Sequence, residues 1–409
     1  MTISNIAILI QTLSGGGAER TASNLSLCLP DKAFKKCILL YENKIDYEHK
    51  GILINLDCPS GRNLIVKLKS FILKVYRLRK KKIEFKLDAV ISFAEDPNIM
   101  NILSRTSEKV IISVQTFPRL CYNNLRGGIF RLLIRLLYNK ADLIVTASEG
   151  IKYDLVNNFG INKDKIRVIY NMLNIEAISY LSARNLNNKY ASLFNNHKTI
   201  ITAGRLTKEK GQWHLIRFFQ KVKENVNESK LLLLGDGELR DHLISLSKKL
   251  GFKTYSIWGN APINENYDIY FLGFQNNPFN LISKAQIFIL SSLFEGLPNV
   301  LLEAMACGVT VISSDCRSGP REILTPDTDF RHETKSPEFS KYGILMPVFD
   351  GKFYGSQNKL TNEEKVWANI TIQALKDGDM QKHYSLAGIT RANDFNTTKI
   401  INEWLKLLT

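Results

Sequence analysis

Short, almost uniformly apolar runs alternate with amphipathic stretches along the whole chain. In the first half, such runs predict six strands, at residues 6–10, 37–40, 89–93, 110–114, 143–147 and 166–169. Strands buried on both faces of a parallel sheet are expected to be nearly continuous in Ile, Leu and Val, as these are. Each run is followed by a turn or a helical pattern, which is typical of an α/β architecture with a parallel sheet.

The second half repeats this organisation. Six further runs predict strands at residues 199–203, 231–234, 269–272, 287–291, 309–313 and 343–346. The segment 171–197 is polar, rich in Asn and weakly periodic, so it is the predicted inter-domain connection. We therefore expect two doubly wound domains, at 1–175 and 198–383, with a cleft between them. A C-terminal helix at 384–409 is expected to pack back on the first domain.

The length and composition agree with two globular domains. The chain has 409 residues, of which 44% are hydrophobic and 23% are charged, which argues against disorder, collagen and coiled coil. No apolar run reaches the roughly 18 residues needed to span a bilayer. The six cysteines include no Cys-x-x-Cys pair, which argues against a zinc ribbon or a disulfide scaffold. We expect a cytoplasmic protein.

The positive charge is concentrated in one segment. The formal net charge is +16, and residues 62–86 contain ten Lys and Arg residues against one acidic residue, Glu84. Apolar residues recur there at helical spacing, so we predict a helix whose cations, among them Lys74, Arg77 and Lys81, face an anionic membrane surface. The alternative is a basic nucleic-acid-binding protein, but the few aromatic residues of the segment suit packing better than base stacking.

The strongest local motif is the run FEGLPNVLLEAMACG at residues 294–308. It follows a predicted strand directly, and Pro298 suits the first position of a helix while Gly308 suits its end. The N-terminus of that helix would face the carboxyl edge of a parallel sheet, where free amides attract phosphate. Because Glu295 and Glu303 would repel a phosphate, the motif requires nearby cations.

Cations and glycines follow other predicted strands. Arg205 and Lys210 come after the first strand of the second half, and Arg205 can bind phosphate oxygens bidentately. The turn Gly235-Asp236-Gly237 follows the next strand. Ser14-Gly15-Gly16-Gly17 follows the first strand of the chain and opens a helix, without the spacing of a Walker or a dinucleotide-binding motif. Three glycines would let a phosphate or a sugar approach the backbone closely.

Together these motifs resemble a known family. Arg205 with Lys210, then Gly235-Asp236-Gly237, then Glu295 and Glu303, in this order and spacing, resemble the retaining nucleotide-sugar glycosyltransferases with the GT-B fold. That fold consists of two Rossmann-like doubly wound domains. The runs at residues 15–20 (GGGAER) and 318–324 (SGPREIL) are similar to the bacterial branch that builds O-antigen, capsule and N-glycan precursor sugars on polyprenyl pyrophosphate.

The resemblance implies the substrates and the roles of the site residues. The donor would be a UDP-sugar with a hexose or N-acetylhexosamine, and neither a metal nor a cofactor would be required. Arg205 and Lys210 would hold the donor diphosphate, and Glu295 would contact hydroxyls of the sugar, which makes these three the catalytic candidates. Glu303 would bind the ribose hydroxyls. The other candidate donor contacts are Gly16, Gly17, Gly235, Asp236, Phe274, Gly296, Leu297, Pro298 and Asn299.

The resemblance also implies a lipid-linked acceptor and a peripheral position on the inner face of the cell membrane. Arg20, Arg131 or Arg135 would bind the acceptor pyrophosphate. Many members carry a histidine in the stretch that matches residues 113–116, and here Gln115 is the candidate in its place. A UDP-sugar epimerase of the same fold is the alternative enzyme. The missing histidine and the basic segment favour transfer over epimerisation.

Overall fold

Two units make up the chain, and each contains one sheet flanked by helices. The computed structural model describes residues 4–58, 64–121 and 125–408. The first unit comprises Met1–Met172 with Thr397–Thr409, and the second comprises Leu173–Asn396. Both sheets have the strand order of doubly wound folds. The predicted α/β class with two Rossmann-like sheets is confirmed.

The sheet of the first unit is parallel throughout the described residues. Its strands are β1 (Ser4–Ile10), β2 (Phe34–Leu40), β3 (Ile52–Asn55), β4 (Ala89–Phe93), β5 (Lys109–Val114), β6 (Leu143–Thr146) and β7 (Ile166–Val168). Their order across the sheet is β3-β2-β1-β4-β5-β6-β7. All six predicted strands overlap an observed one. β3 was not predicted, since its apolar run has only three residues, at 52–54; Ile52 and Leu53 are exposed at this edge of the sheet.

The sheet of the second unit is parallel except at one edge. Its strands are β8 (Lys198–Ala203), β9 (Ser229–Leu234), β10 (Thr254–Ser256), β11 (Ile269–Gly273), β12 (Ile287–Leu290), β13 (Thr310–Ser314), β14 (Glu338–Phe339) and β15 (Ile344–Met346). Their order is β10-β11-β9-β8-β12-β13-β15-β14, and β14 runs antiparallel to β15. The six predicted strands are all present, whereas the two edge strands β10 and β14 were too short for the pattern to predict.

Helices connect the strands of both sheets. In the first unit they are α1 (Gly17–Cys28), α2 (Leu64–Glu84), α3 (Glu95–Leu103), α4 (Pro118–Cys121), α5 (Leu125–Leu137) and α6 (Glu149–Phe159). In the second unit they are α7 (Ile175–Ser182), α8 (Asn188–Ala191), α9 (Gln212–Asn225), α10 (Arg240–Lys249), α11 (Phe279–Ile282), α12 (Asn299–Ala306), α13 (Pro320–Leu324), α14 (Asn362–Lys376) and α15 (Gly378–Ala392). Over the described residues, no helix has the length and apolar character needed to cross a membrane.

The last helix, α16 (Thr397–Leu408), packs against the sheet of the first unit. Trp404 is almost completely buried there, and its ring centroid lies 6.2 Å from that of Phe93 on β4. Ile400 joins the same apolar core. The predicted returning segment is therefore too long, because residues 384–396 belong to the second unit, where Tyr384 of α15 is part of the core.

The predicted connection at 171–197 is mostly part of the second unit. Its helices α7 and α8 lie within Leu173–Asn396. Nδ2 of Asn277 donates to the carbonyl of Leu181 at 2.8 Å, which ties α7 to the segment before α11. The boundary between the units therefore falls at residue 172, and the polar composition of the segment reflects exposed helices rather than a free linker.

Candidate functional site

The strand order of the second sheet reverses beside β8. β9 follows β8 along the chain and pairs with one side of it, whereas β12 pairs with the other side. In open α/β sheets, ligands bind outside the carboxyl ends of the strands at such a reversal. The loop after β8 carries Lys210 and the loop after β12 carries Glu295, so a predicted cation and a predicted carboxylate flank this position.

Lys210 and Glu295 form an ion pair there. Nζ of Lys210 lies 2.6 Å from Oε1 of Glu295, and the two side chains are only 16% and 11% exposed. The hydroxyl of Ser292 donates a second hydrogen bond to the same oxygen, also at 2.6 Å. Charges shielded from water interact more strongly than they do in bulk solvent. The carboxylate therefore fixes the position of the ammonium group.

The loop after β13 braces the backbone around Glu295. The amide of Glu295 donates to the carbonyl of Arg317 at 2.9 Å, and the amide of Ser318 donates to the carbonyl of Glu295 at 2.8 Å. Oγ of Ser318 also donates to the carbonyl of Gly296 at 2.8 Å. Gly319 has φ +99°, and a Cβ on it would lie 2.9 Å from that same oxygen. Ser318 and Gly319 thus hold the loop that carries the candidate carboxylate.

Arg205 is not brought to this pair. Its side chain is 64% exposed, and its guanidinium pairs with Glu209 at 3.2 Å. Its carbonyl accepts a hydrogen bond from Gln212 at 2.9 Å. Of the two predicted cations, the structure places Lys210 against Glu295 and leaves Arg205 at the surface of the same loop.

The glycine turn after β9 packs against the loop after β8. Gly235 has φ +124°, and a Cβ on it would overlap the carbonyl oxygen of Gly204. A Cβ on Gly237 would lie 2.5 Å from the carbonyl oxygen of Leu206. Asp236 pairs with Arg240 at 3.2 Å. Close backbone packing requires glycine at both positions, and the contact of this turn with a nucleotide stays a prediction.

The helix after the Glu295 loop begins one residue later than predicted. α12 starts at Asn299, and Pro298 is its cap with extended backbone angles. Glu303 is buried inside this helix. The pKa of the Cys307 thiol is raised to about 12, mainly by burial and to a smaller extent by the negative charge of Glu303. Glu303 therefore lies in a shielded position on the helix that the motif predicts.

The remaining predicted donor contacts of the second unit differ in exposure. Leu297 is buried, so its side chain packs inside the unit, whereas Phe274 after β11 is more than half exposed. Trp258 is also exposed, and the guanidinium of Arg240 lies 4.8 Å from its ring centroid. A Cβ on Gly273 would lie 3.5 Å from Cζ2 of Trp258, so this indole borders the end of β11. The sequence motifs do not predict a role for Trp258. Its exposed indole, just after the edge strand β10, is what makes it a candidate ligand contact.

The carboxyl edge of the first sheet carries Gly16 and Gly17. α1 begins at Gly17 with Gly16 as its cap, and Gly15 has φ +78°. A Cβ on Gly16 would overlap Oε2 of Glu19, so the chain's own carboxylate occupies the space beside this helix N-terminus. The guanidinium of Arg20 lies 5.1 Å from the ring centroid of Tyr47.

Two more polar residues lie at this edge. Nε2 of Gln115, after β5, donates to Oγ of Ser113 at 2.8 Å. Its neighbour Thr116 donates from Oγ1 to Oε1 of Glu95 at 2.5 Å. Glu95 is buried and follows β4, beside which the order of the first sheet reverses. The motifs do not include Glu95. An acidic residue that closely follows a buried central strand could have marked it as a candidate site residue.

Each of the three cations predicted to face a membrane has a partner inside the first unit. Lys74 pairs with Asp96 at 2.7 Å, Arg77 donates to the carbonyl of Leu56 at 2.7 Å, and Lys81 pairs with Glu84 at 3.0 Å. Lys74 and Arg77 thus connect α2 to other segments of the first unit, and a membrane-facing role for the three cations stays a prediction. On α5, Arg131 is half-buried, and Arg135 donates to the carbonyl of Asn158 at 3.0 Å.

Two family models match the chain. Residues 185–338 match the model described as glycosyl transferases group 1, and residues 15–177 match the model of glycosyltransferase family 4. An uncharacterised glycosyltransferase of Methanocaldococcus jannaschii is 34% identical over 396 residues, which cover 92% of this chain and 93% of the relative. The chain belongs to the group 1 glycosyltransferases.

This glycosyltransferase is also similar to an enzyme of Campylobacter jejuni. That enzyme is the N-acetylgalactosamine-N,N'-diacetylbacillosaminyl-diphospho-undecaprenol 4-alpha-N-acetylgalactosaminyltransferase. It is 31% identical over 98% of this chain and 99% of its own length. Similarity to transferases along nearly the whole chain gives no support to the epimerase alternative.

Solved structures show the fold of this glycosyltransferase. HepE of Anabaena in complex with UDP-glucose has a TM-score of 0.72 at 16% identity, with 99% of both chains covered. Sucrose-phosphate synthase of Thermosynechococcus elongatus has a TM-score of 0.74 at 15% identity, covering 99% of this chain and 98% of the other. The fold is GT-B.

Possible metal ligands of this glycosyltransferase are dispersed. Among the described residues, no group of three or more His, Cys, Asp or Glu side chains could hold a metal ion. Two Asp-x-Asp sequences occur, at 327–329 and 377–379. Asp329 pairs with Arg331 at 2.6 Å, and Asp377 caps α15 by accepting from the amide of Met380 at 2.8 Å. Neither lies in the loops after β8 and β12.

Proposed function

We propose that this glycosyltransferase moves a hexose or an N-acetylhexosamine from a UDP-sugar to an oligosaccharide on polyprenyl pyrophosphate. The transfer would retain the anomeric configuration and would need no metal. It would serve the biosynthesis of a surface polysaccharide or glycan, such as O-antigen or capsule, at the cytoplasmic face of the cell membrane. The observation that carries the proposal is the Lys210–Glu295 pair at the strand reversal of the second sheet.

The names of the relatives support these substrate classes. The Campylobacter enzyme described above is named as an N-acetylgalactosaminyltransferase that acts on a diphospho-undecaprenol glycan. A second Campylobacter relative, 25% identical over 98% of this chain, is named for a related transfer to a glycan on the same lipid. A lipopolysaccharide 1,6-galactosyltransferase of Salmonella typhimurium is 29% identical over about half of the chain.

Lys210 would act on the leaving group. When the bond between the anomeric carbon and the diphosphate breaks, UDP departs with the bonding electrons and negative charge grows on its oxygens. A fixed ammonium in a shielded position stabilises this charge without reorganising during the reaction. Glu295 would keep that ammonium in place and would bind hydroxyls of the donor sugar. The acceptor hydroxyl would form the new bond to the anomeric carbon, and its proton would pass to a phosphate oxygen of the departing UDP.

Other residues would complete the binding of both substrates. Glu303 would bind the ribose hydroxyls and Arg205 would reach a phosphate from the surface, since its long side chain is exposed. Phe274 would border the uracil base, and Trp258 would extend that aromatic surface. The backbone of residues 296–299 and of Gly16 and Gly17 would lie against the sugar and phosphates. Arg20, Arg131 or Arg135 would bind the acceptor pyrophosphate, and Gln115 would contact a substrate beside β5.

A transfer assay tests this function. The purified protein is incubated with radiolabelled UDP-sugars, one at a time, and a membrane extract that contains lipid-linked glycans. We expect label to enter the lipid fraction with one donor, and Glu295→Gln to abolish this transfer. Glu224→Gln, an exposed carboxylate on α9, is the matched control and should transfer normally.

Three outcomes would change the proposal. Absence of transfer from every UDP-sugar would reject the donor class, and conversion of a donor sugar without any acceptor would indicate an epimerase. The anomeric configuration of the product, measured by NMR, decides between retention and inversion. A product with the configuration opposite to that of the donor would reject the retaining mechanism.

A further inference from the structure

One helix of the first unit presents a row of apolar side chains to solvent. Ile72, Tyr76 and Ile83 of α2 are each more than half exposed. They are four and seven positions apart, which places them on one face of the helix. Single exposed apolar residues are ordinary on protein surfaces, whereas a contiguous apolar row marks a surface that contacts something else.

A second helix of the same layer carries a similar row. Ile129, Leu132 and Leu136 of α5, three and four positions apart, are between 55% and 64% exposed. α3 contacts both α2 and α5. Seven of the nine residues of α3 are buried. Because α3 is mostly buried and both of its neighbours expose apolar rows, we treat the two rows together as one candidate surface, which we call the α2/α5 face.

Exposed cations accompany the apolar row on α2. Lys69 and Lys80 are exposed and lie within one or two turns of the apolar residues on the same side of the helix, whereas Arg79 donates to the carbonyl of Arg105. Glu84, the acidic residue of this helix, is engaged by Lys81 at 3.0 Å. A helix with an apolar row edged by Lys and Arg has the pattern of segments that lie in the interface of an anionic bilayer.

We propose that the α2/α5 face binds an anionic bilayer by shallow insertion of its apolar side chains. Ile72, Tyr76 and Ile83 would enter the boundary between headgroups and acyl chains together with Ile129, Leu132 and Leu136. Lys69 and Lys80 would contact the headgroups. The positive charge beside the apolar rows, in a chain with a formal net charge of +16, favours an anionic bilayer over a second copy of equal charge. The inference rests on the proposed lipid-linked acceptor for its biological purpose, but binding to a bilayer is measurable without any substrate.

Vesicle co-sedimentation tests the inference on the full chain. We expect binding to vesicles of phosphatidylglycerol and phosphatidylethanolamine, and weaker binding to vesicles of phosphatidylcholine alone. In about 1 M salt, where the screening length falls to about 3 Å, binding should weaken but persist, since the inserted side chains do not depend on charge. Complete release by salt would reject insertion.

Substitutions test whether vesicle binding depends on the α2/α5 face or on any equally exposed apolar residue. The triple change Ile72→Gln, Tyr76→Gln and Ile83→Gln should lower the vesicle partition coefficient at least about tenfold, because each side chain loses its apolar burial. Gln keeps a high helix propensity, so folding should be preserved. The control is Leu386→Gln with Tyr180→Gln, two equally exposed residues on helices of the second unit. Its partition should equal that of the parent.

Two further measurements distinguish failure of the bilayer proposal from failure of the proposed function. If the triple variant binds vesicles as the parent does, or if the parent is a dimer in solution that the variant dissociates, the bilayer proposal is rejected. UDP binding by calorimetry without lipid should be equal in the parent and the triple variant. Failure of UDP binding in the parent would count against the proposed function alone, and failure of vesicle binding against the α2/α5 face alone.

Discussion

Nζ of Lys210 and Oε1 of Glu295 are 2.6 Å apart, although 85 positions separate the two residues along the chain. They meet because β8 and β12 are neighbours in the sheet and both loops leave from its carboxyl edge. An ammonium that is only 16% exposed is costly to keep charged unless a carboxylate compensates it. Glu295 supplies that compensation at the place where a departing diphosphate would need positive charge.

Removal of Lys210 should reduce catalysis strongly. We expect Lys210→Ala to lower kcat by about 100-fold, because the variant loses a preorganised charge at the leaving group. Lys208→Ala is the matched control, since Lys208 lies in the same loop with an exposed side chain, and its kcat should stay close to that of the parent. Circular dichroism establishes that both variants are folded. A kcat for Lys210→Ala within a few-fold of the parent would remove Lys210 from the catalytic residues.

The two predicted cations should differ in their effects. Arg205 is 64% exposed and pairs with Glu209 rather than with Glu295. Arg205→Ala should therefore cost less in kcat than Lys210→Ala, and it should act mainly on KM for the donor. Steady-state kinetics with varied donor give both constants. Equal losses of kcat in the two variants would show that Arg205 moves into the site during the reaction.

Chelation should leave the activity intact. Lys210 and Arg205 supply positive charge in the proposed donor site, so we expect transfer to continue in excess EDTA at the rate of the untreated protein. Initial rates are compared after dialysis against EDTA and after addition of magnesium or manganese. Loss of transfer on chelation and its recovery with either metal would contradict the proposed metal-free mechanism.

Gly235 tests whether the glycine turn serves packing. An alanine there would overlap the carbonyl oxygen of Gly204 at a φ of +124°, so Gly235→Ala should lower the free energy of unfolding by about 2 kcal/mol. Gly378, at the start of α15, has open space around its Cβ position, and Gly378→Ala should be neutral or stabilising by about 0.5 kcal/mol. Urea denaturation measures both. Unchanged stability of Gly235→Ala with lost UDP binding would favour the nucleotide contact instead.

Acid should weaken the second unit through Glu364. Burial alone would raise the pKa of this carboxyl, but hydrogen bonds from His214 at 2.8 Å and Arg217 at 2.9 Å outweigh it and lower the pKa below its usual 4.5. A carboxyl with a lowered folded pKa stabilises the protein above its unfolded pKa and ceases to do so as the pH falls through the folded value. Glu364→Gln should cost about 3 kcal/mol at pH 7. The difference in Tm between parent and variant should shrink below about pH 4.5, and a constant difference would contradict this assignment.

The sequence predicts the central strands and the loops of the site, but not the contacts between them. Strands such as β4 and β12 are buried on both faces, so continuous apolar runs predict them. The edge strands β10 and β14 have only three and two residues, and β3 offers only the three apolar residues 52–54. The motifs predict Lys210 and Glu295 as candidate site residues, and the structure brings these two side chains together. The partners of Lys74 and Arg77 were not, because Asp96 and the carbonyl of Leu56 lie 22 and 21 positions away and meet them only through the packing of α2.

The return of α16 to the first unit sets the order in which the chain can complete its folding during synthesis. All residues of the second unit, Leu173–Asn396, leave the ribosome before Trp404, which closes the core beneath Phe93. The first unit is therefore completed only after the whole second unit has been made. Until α16 emerges, the surface that it covers stays exposed to chaperones and proteases, so truncation at residue 396 would damage the core of the first unit while leaving the residues of the second unit present.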